Sequence, residues 1–276
     1  MNNVTIDVKS FDAIAKLAYD ESGLQLVAEK TSMIQSRLRH RLKALSIGTF
    51  GEYVDLVCSP DGESERRQMI SALTTNVSHF FRENHHFEIL IERIIPRFLP
   101  AAKAGGRFRI WSAGCSNGQE AYSIMMAVAH SYPELLGLDF KILATDIDPN
   151  VIEFAKAGIY PERLVAGVPT DMLAKYFDRV SHNGEDGFAT KPFLKSNIAF
   201  KELNLLSDWP IKGEMHVIFC RNVVIYFDIE TQNRLWPRFR EQLNSDGVLF
   251  LGHSERIAEP DRSRFVNDGP TTYSTS

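Results

Sequence analysis

The sequence lacks a long apolar run, a secretory leader and an excess of either charge. No apolar run approaches membrane-spanning length, and the segment from Val4 to Lys9 is too short and polar for a leader. The formal net charge of −4 over 276 residues gives no general attraction to nucleic acid or to an anionic membrane. We therefore expect a soluble, cytoplasmic protein that neither inserts into a membrane nor binds nucleic acid.

Cysteine is scarce as well. Cys58, Cys115 and Cys220 are odd in number, widely spaced and set among apolar residues. Disulfide frameworks and zinc sites use more cysteines at closer spacing. We therefore expect reduced thiols, no disulfide and no metal site.

Both standard phosphate-binding patterns, G-x-G-x-x-G and Gly-Lys-Ser/Thr, are absent. Instead, the apolar run at residues 108–111 leads into a loop containing Gly114 and Gly118, and a helix is predicted to begin at Gln119 and Glu120. A buried strand, a glycine turn and a helix bring backbone N–H groups close to a nucleotide-like ligand. The acid in this loop favours a cationic or hydroxyl-rich ligand, and S-adenosylmethionine fits that description.

The first third of the chain has a helical pattern. Ile34, Leu38, Leu42 and Leu45 form one apolar stripe within a helix predicted over Lys30–Leu45. Further helices are predicted over residues 50–57, 63–73 and 86–98. Residues 100–106, PAAKAGG, resemble a linker. The sequence therefore predicts a helical domain over residues 1–99.

After residue 106, short apolar runs alternate with helical stretches. This alternation predicts an α/β domain over residues 107–276, with a mostly parallel sheet covered on both faces. The segment at about residues 158–196 differs, because Asn183-Gly184 and Asp186-Gly187 are hairpin signals. We expect a small β insertion there. The predicted strands cover residues 108–111, 141–145, 198–202, 216–219 and 248–251, and the predicted helices cover residues 120–130, 149–157 and 229–243.

Acidic side chains occur at the expected ligand-binding edge of this sheet. An acid that ends the second strand can accept hydrogen bonds from the ribose hydroxyls of an adenosine ligand. Asp146 is the better candidate, although Asp148 could face the ligand and leave Asp146 to cap the next helix. Glu120 could bind a ligand's ammonium or ribose hydroxyl, or only cap free N–H groups in its helix.

Two other segments combine polar and aromatic residues. In TTNVSHFFRE (residues 74–83), the paired phenylalanines and Arg82 could form a pocket wall in which Arg82 steers a carboxylate; a capped helix start with a surface arginine is the alternative. In CRNVVIYFD (residues 220–228), Arg221 and Asn222 follow a buried strand, where ligand contacts gather in open α/β sheets. Tyr226 could contribute to the site or serve only as a packed ring.

The helix predicted over Lys30–Leu45 is rich in basic residues. Arg37 and Arg41 lie one turn apart beside the apolar stripe. Such a basic face is commonly only solvated. The alternative is a docking surface for an acidic partner.

Six ordered segments closely resemble motifs of the chemotaxis-receptor glutamate methyltransferases, the CheR family. The resemblance covers about residues 36–256 and rests on TTNVSHFFRE, IWSAGCSNGQEAYS, ATDID, NLL, FCRNVVIYFD and LGHSE. It implies a small all-helical N-terminal domain and a Rossmann-like class I methyltransferase domain with a β-subdomain. It also implies methyl transfer from S-adenosylmethionine to glutamate carboxylates on the cytoplasmic methylation helices of chemotaxis receptors, with S-adenosylhomocysteine as the product.

The resemblance assigns roles to single residues. Arg82 and Tyr226 match residues beside the transferred methyl group. Ser78 stands where the family often has threonine, and His40 stands where arginine is common. The residues that match receptor-docking positions are Arg37, Arg41 and Lys43. The predicted cofactor contacts, which include the two loop glycines, are Asn76, Ser78, Arg82, Gly114, Gly118, Glu120, Asp146, Asn204, Leu205, Arg221 and Asn222.

Several features of the function stay open at this level. Some family members grip a tether at the receptor's C-terminus with the β-subdomain, and the turn at residues 183–187 does not decide this. We expect a monomer. The alternatives to a receptor methyltransferase are a non-catalytic module that senses S-adenosylmethionine or S-adenosylhomocysteine, a nicotinamide-dependent oxidoreductase, and a methyltransferase acting on nucleic acid or small molecules. The missing G-x-G-x-x-G and the acidic balance disfavour the last two.

Overall fold

The computed structural model describes residues 4–182, 184–258 and 264–275. Asn183, in the predicted hairpin turn, lies outside the described residues. The helical elements follow in chain order as α1 (Val8–Ser22), α2 (Thr31–Leu45), α3 (Phe50–Cys58), α4 (Glu63–Leu73), α5 (His85–Ile89), α6 (Ile95–Lys103), α7 (Gln119–Ser131), α8 (Pro149–Ala157), α9 (Glu162–Val165), α10 (Thr170–Tyr176), α11 (Pro192–Lys195) and α12 (Ile229–Gln242). The strands are β1 (Phe108–Ala113), β2 (Phe140–Asp146), β3 (Ile159–Pro161), β4 (Phe177–His182), β5 (Glu185–Thr190), β6 (Ile198–Glu202), β7 (Met215–Cys220), β8 (Leu243–Leu251), β9 (Phe265–Gly269) and β10 (Thr272–Thr275).

Helices α1 to α4 form a small helical unit with its own apolar core. Ile34, Leu38 and Leu42 of α2 are buried in this core. Leu45, the fourth residue of the predicted stripe, is 37% exposed, because the helix ends there and its last turn extends beyond the core. Local signals set the helix starts: Thr49 and Glu52 form a reciprocal capping box at α3.

The linker predicted at residues 100–106 differs from the structure. A five-residue π-helical turn, Leu90–Ile94, joins α5 to α6, and α6 continues through Pro100 to Lys103. Leu90, Ile94 and Ala102 are buried in the core of the sheet domain. The helix continues because burial of this face outweighs the local breaking tendency of Pro100. We therefore propose that the domains join near residues 74–76 rather than at residue 100.

The main sheet has seven strands in the order β6-β2-β1-β7-β8-β10-β9. β1 pairs in parallel with both β2 and β7, so the strand order changes direction between β1 and β7. Open α/β sheets bind ligands beyond the carboxyl ends of their strands at such a point. The predicted, mostly parallel sheet is confirmed, while the antiparallel pair β9 and β10 at its edge was not predicted.

The predicted β insertion is also confirmed. β3, β5 and β4 form a separate antiparallel sheet between α8 and β6. Together with the helical unit and the main sheet, it completes the α/β architecture predicted from the sequence. Within the described ranges, no helix is long and apolar enough to span a membrane.

Candidate active site

A deep cleft lies between the helical unit and the carboxyl ends of β1, β2, β6 and β7. It contains about 1010 Å³ of empty space, including its open mouth. The helical unit and the segment after it contribute Ser22, Leu24 and residues 74–79 to the lining. The cleft therefore depends on contacts between the two units.

Hydrogen bonds across the two units hold the cleft together. The Asn204 side-chain amide donates to the carbonyl of Glu21 at 2.7 Å, and the backbone N–H of Gln25 donates to the carbonyl of Tyr226 at 3.0 Å. The side-chain amide of Asn150, in α8, donates to the Ser71 hydroxyl at 2.9 Å. Residues far apart in the sequence are thus fixed on opposite sides of one site.

The structure brings nearly all the predicted site residues into this cleft. The predicted residues that line it are Asn76, Ser78, Arg82, Gly114, Glu120, Asp146, Asn204, Leu205, Arg221, Asn222 and Tyr226.

The loop glycines have different roles. Gly114 lines the cleft and has φ +87°, and a Cβ there would lie 2.2 Å from Cγ2 of Val223. Gly118 does not line the cleft. It precedes α7 with a φ of +81°, and a Cβ there would lie 2.7 Å from Cβ of Ala155. Gly118 therefore has a turn and packing role on the side that faces α8, and its predicted cofactor contact stays a prediction.

Strained backbone conformations occur around the cleft. Phe81, Glu83, Ser116 and Asn222 all have positive φ, between 49° and 59°. Non-glycine residues rarely adopt this conformation, and it persists where surrounding contacts hold it. These four residues border Arg82, the glycine loop and the end of β7, so the strain is located at the site.

The two aspartates after β2 have different roles. Asp146 lines the cleft and accepts hydrogen bonds from the backbone N–H groups of Ser116 (2.8 Å) and Asp148 (3.1 Å). Asp148 caps α8 by accepting from Asn150 N–H at 2.9 Å, and it also accepts from the Asn76 amide at 2.7 Å. Of the two interpretations, the geometry favours Asp146 as the ligand-facing acid.

Asp146 provides a pH-dependent test of its role. Burial raises the pKa of Asp146 to about 6, although the two backbone hydrogen bonds oppose this shift. A ribose hydroxyl donates best to the ionised form, so cofactor affinity should be constant well above pH 6, begin to fall near pH 6, and fall by up to about tenfold per pH unit well below it. Calorimetric titration with S-adenosylhomocysteine at several pH values measures this. Asp146→Asn should bind more weakly with a flat profile, and an unchanged slope in that variant would contradict the assignment.

A buried charge network lies behind Glu120. The Glu120 carboxylate accepts from the Ser112 hydroxyl at 2.7 Å and from Arg221 at 3.2 Å. Burial raises the pKa of Glu120, whereas the Arg221 charge and the Ser112 hydrogen bond lower it. Glu120 is therefore held in place by residues of β1 and the end of β7, and it still borders the cleft.

Glu83 is a member of this network that sequence reasoning missed. It pairs with Arg221 at 3.2 Å and accepts from the ring and backbone N–H of His253 at 3.1 and 3.2 Å. Burial would raise the pKa of Glu83, but the charge of Arg221 and the His253 hydrogen bonds outweigh it and lower the pKa to about 2. The signal in the sequence that could have indicated Glu83 was its position directly after Arg82.

Glu255 is a second missed residue. Its buried carboxylate accepts four backbone hydrogen bonds, from Asn222, Val223, Ile225 and Gly252, at 2.6–3.2 Å. It thereby fixes the loop that carries Asn222 and Tyr226. The signal in the sequence that could have indicated Glu255 was an acid in the segment LGHSE, shortly after a buried strand ends.

Arg82 and Tyr226 are held at the cleft by contacts with other parts of the chain. Nη1 of Arg82 donates to the Val77 carbonyl at 3.1 Å, and the Arg82 carbonyl accepts from Arg221. Tyr226 is half-buried and packs against the core of the helical unit. The surface-arginine alternative for Arg82 is thus disfavoured, since both residues line the cleft.

The basic residues of α2 have unequal surroundings. Arg41 forms a two-point ion pair with Glu65 at 2.9 and 2.6 Å, and Arg37 donates to the segment after α4. Lys43 is exposed. The two arginines, predicted as docking residues, therefore make contacts inside the molecule, and Lys43 keeps an exposed side chain.

The chemistry of the cleft fits S-adenosylmethionine. Glu120 and Asp146 are acceptors for ammonium and hydroxyl groups, whereas Leu205 and Ile147 provide apolar surface for an adenine ring. The backbone carbonyl and amide groups of the glycine loop lie at the same edge of the sheet. These groups match a ligand with hydroxyls, positive charge and a flat apolar part.

Comparisons with known proteins agree with this site. The family model described as "CheR methyltransferase, all-alpha domain" matches residues 9–74, and "CheR methyltransferase, SAM binding domain" matches residues 76–272. A "probable chemotaxis protein methyltransferase" of Rhizobium etli is 46% identical over 257 residues, covering 93% of this chain and 96% of the relative. The chemotaxis protein methyltransferase of Escherichia coli is 38% identical over 267 residues, covering 96% and 90%. That of Borreliella burgdorferi is 36% identical over 276 residues, covering 98% and 95%.

Proposed function

Because the chain belongs to the CheR methyltransferase family, with S-adenosylmethionine as its cofactor, we propose that it methylates glutamate side chains of chemotaxis receptors. The products would be a glutamyl methyl ester and S-adenosylhomocysteine. The observation that carries this proposal is a single cleft in which the acids Glu120 and Asp146 share the lining with Arg82 and Tyr226. One set of residues can hold the donor while the other receives a carboxylate.

The acceptor needs no general base. A glutamate carboxylate is already ionised at neutral pH, and bound S-adenosylmethionine supplies an electrophilic methyl group. The protein's task is therefore to align the two reactants and to exclude water from between them.

Arg82 and Tyr226 would perform this alignment. The hydrogen bond from Arg82 to the Val77 carbonyl limits the motion of its guanidinium, which can then orient an incoming carboxylate. A tight ion pair would reduce the nucleophile's reactivity, so the contact of Arg82 should be positional. Tyr226 could donate its hydroxyl to the carboxylate or shape the channel for methyl transfer.

The proposal includes a cellular setting. The protein would act in the cytoplasm as a monomer, and its substrate would be the methylation helices of the receptors. Lys43 on α2 would contribute to docking. A groove bordered by Arg179, Asp186 and Phe188 on the β-subdomain is available for a receptor's C-terminal tether.

The test is transfer of labelled methyl groups to receptor-containing membranes. Methyl-labelled S-adenosylmethionine should leave label on the receptor that mild base releases as methanol, because carboxyl methyl esters are base-labile. Receptors whose methylation-site glutamates are replaced by alanine serve as the control. Base-stable label would contradict the glutamate assignment, and donor binding without single-turnover transfer would indicate a sensing module.

A further inference from the structure

Three hydrogen bonds join Arg37 of α2 to the segment that follows α4. Nη1 donates to the carbonyls of Leu73 (2.6 Å) and Thr74 (2.9 Å), and Nη2 donates to the Thr75 hydroxyl (3.0 Å). All three acceptors are uncharged oxygens. The guanidinium therefore acts as a planar group with several donors, which the compact ammonium of lysine cannot reproduce.

The position of these acceptors explains why a donor is needed there. Leu73 is the last residue of α4, and the final carbonyls of a helix have no partner within the helix. Arg37 supplies partners for two successive carbonyls where the chain leaves the helical unit. It thus fixes the direction in which the chain enters the cleft.

The segment held by Arg37 continues as one wall of the cleft. Residues 74–77 line the cleft, and the carbonyl of Asn76 accepts from the Ser116 hydroxyl of the glycine loop at 3.1 Å. The next carbonyl, that of Val77, accepts from Arg82 at 3.1 Å. A displacement at residues 73–75 would therefore reach both the glycine loop and Arg82.

We propose that Arg37 of α2 is a positioning residue for the cofactor site. Its hydrogen bonds hold residues 74–77, one wall of the cleft, in the position that binds the cofactor. The helix proposed to dock on receptors is thereby connected to cofactor binding. This inference requires S-adenosylmethionine as the ligand of the cleft but does not require glutamate as the methyl acceptor. The two proposals can therefore fail separately.

Calorimetric titration with S-adenosylhomocysteine, without receptor, tests the inference in the full chain. If the wall of Arg37→Ala occupies its binding position about a tenth of the time, the apparent Kd rises about tenfold. Arg37→Lys keeps the charge but loses the planar donor arrangement, and it should weaken binding by about threefold. A charge needed only for docking would leave both affinities unchanged.

Arg66 provides a matched control. Its Nη1 donates to the carbonyls of Val57 and Ser59, both at 2.9 Å, at the end of α3. Arg66→Ala removes the same kind of contact from the same helical unit, together with a longer ion pair to the Glu21 side chain at 3.5 Å. Val57, Ser59 and Glu21 are not among the residues that line the cleft. It should lower the melting temperature while the Kd for S-adenosylhomocysteine stays within about twofold of wild type.

Two results would overturn the inference. One is wild-type affinity in Arg37→Ala; the other is an equal loss of affinity in Arg66→Ala, which would indicate general destabilisation. If Arg37→Ala does not fold, Arg37→Lys decides, and wild-type affinity in that variant would reject the positioning role.

Discussion

Replacing Arg82 by alanine should lower the rate of methyl transfer by about 100-fold or more, because misplacement of one reactant removes much of the gain from alignment. Cofactor affinity should fall by less than about fivefold, since Asp146 and Glu120 remain as the main polar contacts. A single-turnover experiment measures the rate of methyl transfer, and titration with S-adenosylhomocysteine measures the cofactor affinity.

Arg93 is a suitable control for this experiment. It is an exposed arginine of the π-helical turn Leu90–Ile94, paired with Asp268 at 3.0 Å. Arg93→Ala should retain both the transfer rate and the affinity. Equal losses of rate and affinity in Arg82→Ala would make Arg82 a cofactor contact rather than an aligning residue.

Replacing Arg221 by methionine should destabilise the fold by about 3–5 kcal/mol at neutral pH, because it leaves buried carboxylates without their counter-charge. Arg221 has a side chain only 2% exposed and pairs with Glu83 and Glu120, each at 3.2 Å. Urea unfolding of wild type and variant measures the difference. Arg67→Ala, which breaks an exposed pair with Glu63, should cost less than about 1 kcal/mol.

The loss in Arg221→Met should depend on pH. In the wild type, the pKa of Glu83 is lowered from 4.5 to about 2. Its stabilising contribution is therefore present above pH 4.5 and is lost as the pH falls towards 2. The variant lacks this contribution, and protonation relieves its buried charge. The difference in unfolding free energy should shrink on acidification. The Arg221 guanidinium also lies over the Phe87 ring, 5.7 Å from its centroid, and a constant difference would show that loss of this contact, rather than of the ion pairs, is responsible.

Strong local signals in the sequence mark several elements that form the site. The predicted α4, α8 and β6 have the observed bounds, because caps, periodicity and turn residues act over a few positions. The strand-end rule also led to Asp146, Arg221 and Asn222, since parallel strands present their carboxyl ends at one edge. The strands β9 and β10 were missed because strands of five and four residues carry little alternating pattern.

The sequence by itself therefore determined the fold class, the glycine turn at Gly114 and eleven of the residues that line the cleft. Tertiary structure alone decided that Asp148 caps α8 while Asp146 faces the cleft, and that Gly118 packs on Ala155. It also decided that Arg37 donates to the carbonyl of Leu73 at the end of α4. The partners of Glu83 and Glu255 were likewise fixed only by the tertiary structure. The physical reason is that these roles, apart from the local cap of Asp148 on Asn150, depend on a partner distant in the sequence, 36 residues away for Arg37 and Leu73. Periodicity and capping record only local neighbours.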